Sequence, residues 1–147
     1  MFKRKKLIPL SIFEPSSSPW TNRMLGLFRI LAALMFMSTG TMKMFNYPHG
    51  PMEMPPFHLM SQMGIGGVLE VFGGLFIALG LFTRPVAFVL AGEMAVAYFQ
   101  FHFPQSFFPT VNNGVSAILY CFFFLYLTFA GAGAWSLDGI IAGSKRE

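Results

Sequence analysis

Charge is scarce in this chain, and cysteine is almost absent. Of 147 residues only 11% are Asp, Glu, Lys or Arg, against roughly 25% in soluble domains. A soluble globule of this length could not cover its surface with so few charges. The single cysteine, Cys121, excludes an intramolecular disulfide, a two-cysteine redox pair and a cysteine-built zinc or iron–sulfur site within one chain. Cys121 lies in an apolar run and reads as a small hydrophobe. The apolar runs also lack the strict alternation of barrel strands, which leaves helices as the structure for a lipid environment.

What is present is apolar. Hydrophobic residues make up 54% of the chain, with 19 Phe. They collect in four stretches, about 25–45, 61–82, 86–103 and 114–133, each near the ~20 residues a helix needs to cross a hydrocarbon core. Thr83-Arg84-Pro85 forms a tight turn between the second and third, with the proline suited to the first turn of the next helix. Turn-forming residues fill the other two connections, from Asn46 to Pro56 and from Pro104 to Asn113. The reading is an all-α, integral membrane four-helix bundle, residues 25–133. A basic tail and linker (1–24) precedes it, and a second tail (134–147) follows.

Although the net charge is +4, its distribution argues against nucleic acid. Lys3, Arg4, Lys5, Lys6, Arg23, Arg84, Lys145 and Arg146 all fall on one side of the four spans. By the positive-inside rule both termini are then expected to be cytoplasmic, with the lipid bilayer as first partner. Trp20 and Trp135 flank the first and last spans at that face. The N-terminal stretch has a charged start, but the apolar segment after it is short, contains Pro9, and lacks a small-x-small cleavage site. It reads as a tail rather than a signal peptide.

Four ionisable residues lie inside the spans: Arg29, Lys43, Glu70 and Glu93. Each costs at least ~2.5–3.5 kcal/mol near a helix centre, so each should face the protein interior and find a partner. Helical spacing puts Arg29, Ala33, Phe36, Gly40 and Lys43 on one face of the first helix. It does the same for Gly66, Glu70, Gly73, Ile77 and Gly80 in the second, and for Glu93, Ala97 and Gln100 in the third. From depth, Arg29 and Glu93 are expected to pair and hold the site's geometry. Glu70 is expected near mid-membrane, at the height of Tyr98, as a proton carrier or hydrogen-bond donor. Lys43 is expected to snorkel outward. Lys43, Tyr98, Gln100 and Tyr120 are the expected ligand-binding residues. The fourth helix also carries an aromatic wall that could cradle a quinone ring, although lipid-facing surface is its plainer reading.

His49, His58 and His102 all fall at the outer side. The stretch from His49 to Met60 combines imidazole and thioether groups, which suit a soft metal such as copper. Its spacing fits no fixed template, so an ordinary interfacial loop is the expectation and no metal is assigned.

Several motifs together resemble the DoxX family of small bacterial membrane proteins. They are Arg29-Ile30 with Gly40-x-x-Lys43, Gly67 to Gly74, Leu79-Gly80-Leu81-Phe82-Thr83-Arg84-Pro85, and Gly92-Glu93-Met94 through Phe99. His102, Pro104, Asn112-Asn113-Gly114, Leu119-Tyr120-Cys121 and Trp135-Ser136-Leu137-Asp138 complete the set. The chain departs from the family at the fourth helix, where Asn112-Asn113-Gly114-Val115 stands in place of a run ending in an acid. The resemblance implies a four-helix membrane fold and a link to quinone-dependent membrane redox systems. The expected function is therefore a component of such a system, with Glu70 mediating proton exchange. Electrons would come from a bound quinone or a partner subunit, since no redox-active side chain is visible; a homo-oligomer would be another assembly. The alternatives are a non-catalytic accessory or scaffold subunit, or a small-molecule transporter. Fold alone does not separate these.

Overall fold

A computed structural model describes residues 18–50 and 55–144. The basic stretch 3–6, the centre of the His/Met loop (51–54) and Lys145 and Arg146 lie outside the described residues. Among the described residues the regular structure is all helical, without strands. Helix α1, Pro19–Phe45, begins with proline at its first position, where a missing N–H costs nothing. The Ser18 hydroxyl accepts from Trp20 N at 3.2 Å. Helix α2, Gln62–Leu79, is capped by Ser61, whose hydroxyl accepts from Gly64 N at 3.0 Å. It ends at Gly80, where φ is +64°, a left-handed conformation that favours glycine. A single π-helical turn, Leu69–Gly73, interrupts it.

Helix α3, Thr83–Ala97, runs on into a second π-helical turn, Tyr98–His102. Helix α4 is Val115–Ala130 and a short α5 is Leu137–Ser144. Two differences from the sequence expectation share one cause. Thr83-Arg84-Pro85 is the start of α3 rather than a turn, and the segment expected as a C-terminal tail contains α5. Asp138, in the first turn of α5, accepts from Phe82 N at 2.8 Å and Thr83 N at 2.9 Å. A carboxylate on those N–H groups caps α3 and suits its dipole.

The four long helices alternate in direction. Arg29 near the start of α1 meets the end of α2, and Gly40 near the end of α1 meets the start of α2. A Cβ on Gly40 would fall 2.8 Å from the Gly67 carbonyl oxygen and 2.8 Å from Glu70 Cβ, so these helices approach nearly backbone to backbone. All four contribute to one core, through Ala33 and Phe36, Ile77, Ala87 and Leu90, and Phe124 and Leu127. Phe36 meets Phe124 with ring centroids 4.8 Å apart and planes at 71°, a favoured aromatic geometry.

Outside this core the surface is apolar. Phe28, Leu34, Phe88, Leu119, Phe122 and Phe129 are all exposed. Surface of that kind calls for lipid or protein cover. Helices Pro19–Phe45 and Gln62–Leu79 are long and apolar enough to cross a membrane.

Candidate functional site: two polar clusters at opposite ends of the core

The core separates two groups of polar side chains. At the proximal end, Arg29 is 0% exposed. A guanidinium has five N–H donors, and here each has an acceptor. Nε donates to Ala132 O at 2.7 Å. One terminal nitrogen donates to Ile77 O and, at 2.6 Å, to Ala78 O. The other donates to Ala134 O at 3.2 Å and Trp135 O at 2.9 Å. Ile77 and Ala78 belong to the last turn of α2, at the negative end of its dipole; the Ile77 carbonyl also accepts from Gly80 N at 3.0 Å. Arg29 therefore ties α1 to the end of α2 and to the chain leaving α4.

The expected Arg29–Glu93 pair does not form. Backbone carbonyls satisfy Arg29 at the proximal end, whereas Glu93 lies at the distal end. The depth argument had placed the two only a side chain's reach apart. It could not anticipate that carbonyls from segments 132–135 would arrive first.

At the distal end, Lys43 Nζ lies 2.6 Å from Glu70 Oε1, the ion pair among the described residues. Glu70 is 2% exposed and Lys43 is partly buried. Lys43 thus turns inward to Glu70 instead of snorkelling. Glu70 sits in the π-helical turn of α2, a distortion common at functional sites. Glu93 reaches the same place from α3: a Cβ on Gly66 would sit 3.3 Å from Glu93 Oε1 and 3.9 Å from Lys43 Nζ. The missing side chain at Gly66 leaves the space in which these groups meet. Glu70 Oε2 and Glu93 Oε2 are both buried without a hydrogen-bond partner. Two carboxyls thus converge on one ammonium.

The remaining expected ligand-binding residues divide. Tyr120 packs against Phe36, with ring centroids 5.0 Å apart, beneath this cluster. Tyr98 instead lies over Gly114 and stacks on His102 with planes at 23°. Gln100 is exposed and accepts a hydrogen bond from Gln62. The histidines are dispersed: His102 Nδ1 is 2.9 Å from Asn112 O, and His49 meets the Tyr47 ring. The His58 carbonyl accepts from Ser61. Among the described residues no three metal-capable side chains gather.

Sequence reading missed Asn112 and Asp138 as anchors. Asn112 is 1% exposed. Its oxygen accepts from Gly114 N at 2.7 Å and its amide donates to Ser106 O at 2.7 Å, fixing the approach to α4. The only signal was for Asn112, which stands just before an apolar helix, where Asn caps; Asp138 lies in the first turn of α5 and caps the distant α3.

An all-helical chain with helices fit to cross a membrane and charged side chains turned in between them is the class that these features define. Within that class, the chain belongs to the DoxX family, whose model matches residues 24–103. It is also similar to an uncharacterized protein of Haemophilus influenzae, with 41% identity over 123 residues, covering 78% of this chain and 87% of that protein. No solved structure matches.

Proposed function

We propose that all four long helices cross the bacterial inner membrane, with both termini cytoplasmic, and that the Lys43–Glu70–Glu93 cluster is a proton-exchanging site for a membrane quinone. The observation that carries this reading is the convergence of two carboxyls on one lysine in apolar surroundings. Buried charge at such depth is costly unless neutralised. One ammonium balances one carboxylate, so the second carboxyl has a place for one exchangeable proton. The orphaned oxygens of Glu70 and Glu93 fit a head group that both accepts and donates hydrogen bonds. A bound quinone supplies the electron-accepting carbonyls. Lys43 holds Glu70 in place and donates to the head group, Glu93 gives or takes the proton, and Tyr120 with Phe36 closes the site from below. Arg29 contributes by fixing the helices, not by touching the ligand.

The test is binding of a short-chain quinone to the detergent-solubilised protein, with thermal unfolding as the folding control. Glu93→Gln removes a charge but no hydrogen bond among the described residues, and it should weaken binding by about tenfold, the worth of one charge-assisted hydrogen bond. Unchanged binding in both Glu93→Gln and Glu70→Gln rejects the reading.

A second reading is a non-catalytic accessory subunit. It is favoured by the exposed aromatic face of α4, where Phe122 and Phe129 project from the core, as a docking face would. A partner that co-purifies stoichiometrically with wild type and is lost on Phe122→Ala/Phe129→Ala would support it.

A further inference from the structure

A groove follows the outer side of the seam between α2 and α3. Its volume is about 350 Å³, and every residue lining it is apolar. Leu69, Phe72 and Phe76 of α2 form one wall, and Val86, Val89 and Leu90 of α3 form the other. Phe72, Phe76 and Val89 are exposed at its rims. Gly73 sets the floor: a Cβ there would fall 2.7 Å from Leu90 Cδ2, so the two helices close beneath the groove. At ~1.5 Å rise per residue, the stretch of α2 from Val68 to Phe76 gives it a length of about 12 Å.

The distal end of this groove leads to the acid–lysine cluster. Leu69 and Phe72 belong to the π-helical turn that carries Glu70. Leu69 stands three residues from Gly66, and Leu90 three residues from Glu93, in each case about one helical turn. Glu93 Oε1 lies beside Gly66 on the same seam, and Glu93 is half-buried there. Its neighbour Gly92 is exposed, with nothing within 4 Å of an added Cβ. The seam therefore changes from hydrocarbon trough to ionisable cluster over about one turn.

We infer that this groove seats the isoprenoid tail of the quinone, and that the ligand enters sideways from the lipid between α2 and α3. The inference rests on the quinone reading of the cluster and names the ligand class more closely. A trough without a polar atom in its walls holds no head group. A ligand that fills trough and cluster together has a polar ring joined at one end to an apolar chain. A phospholipid is a poor match, because its head group belongs at the membrane surface, whereas Glu93 lies ten residues into α3. The trans double bonds of a prenyl chain keep it stiff, so fixing it costs less entropy than fixing a saturated chain. Those double bonds also pack against the rings of Phe72 and Phe76. Lipid is as apolar as the groove, so the tail contributes close packing and a tether for the ring, not hydrophobic transfer.

The test is equilibrium binding to the full chain in lipid nanodiscs, with three benzoquinones that share one ring. One has no tail, one has two isoprene units, and one has a saturated tail of the same length. Counting ligand per lipid removes the tail's own partitioning. The prenyl quinone should bind about threefold to tenfold more tightly than the tail-less one, the scale of side-chain packing within a membrane. Val89→Trp fills the groove from its exposed rim and should bring that ratio to unity. Phe72→Ala removes a wall and should lower it. Glu93→Gln should weaken both ligands alike and leave the ratio standing. Thermal unfolding confirms that each variant folds. A wild-type ratio of unity, or a ratio that neither groove variant changes, overturns the groove and leaves the quinone site in place. A saturated tail that matches the prenyl tail overturns the isoprenoid assignment. Failure of all three quinones to bind wild type rejects the quinone site, and this inference with it.

Discussion

A lysine at position 29 would carry the same charge as arginine but two fewer donors. Each carbonyl left buried and unpaired costs about 1–3 kcal/mol. Arg29→Lys should therefore lower unfolding stability in detergent by at least about 2 kcal/mol. Glu93→Gln should change stability little, although the depth argument would have coupled it to Arg29; a double-mutant cycle reads this directly. Gly40→Ala should cost about 1–3 kcal/mol through overpacking, because its Cβ falls 2.8 Å from Glu70 Cβ and the Gly67 oxygen. It should also weaken ligand binding by displacing Glu70 from Lys43. Periodicity did reveal which side chains turn inward: Arg29, Ala33, Phe36 and Gly40 are all buried on one face of α1. It did not reveal their partners. The acceptors around Arg29 are main-chain carbonyls from residues 48 to 106 positions away, and a carbonyl has no signature in a sequence.

The elements were legible where hydrophobicity decides and illegible where a distant cap decides. Leu25 was expected to open the first helix, but Ser18 and Pro19 start it a turn and a half earlier, because capping residues outrank apolar content at a helix start. The third helix was expected from 86, whereas Asp138 starts it at Thr83 from more than fifty positions away. The short α5 carries that carboxylate, and eight residues are too few for a periodic signal. Asp138→Ala should cost about 1 kcal/mol, as loss of an N-cap does. Asp138→Asn should keep only part of that stability, since its amide oxygen can replace one of the two accepting oxygens while its NH2 faces the other N–H donor. Amide exchange at Phe82 and Thr83 measures both. The π-helical turns had no sequence signal, although they carry Glu70, Tyr98, Gln100 and His102.

At the scale of the whole molecule, the two polar clusters sit at opposite ends of a core formed by Phe36, Ile77, Leu90 and Phe124. Among the described residues no hydrogen-bonded side chain within that core joins the clusters, so under the proposed function a proton at Glu93 would exchange with the distal side only. In the proposed orientation that side is external. The basic residues are the ground for that proposal, since the reverse placement would move nearly all of them across the bilayer against the positive-inside rule. Single cysteines test it in a Cys121→Ser background. Thr110 is exposed at the distal end, and Gly143 in α5 has nothing within 4 Å of an added Cβ. An impermeant maleimide added to intact cells should label Thr110→Cys within the assay and leave Gly143→Cys unlabelled until the membrane is opened. Labelling of Gly143→Cys from outside would invert the bundle. It would move the distal acids to the cytoplasmic face.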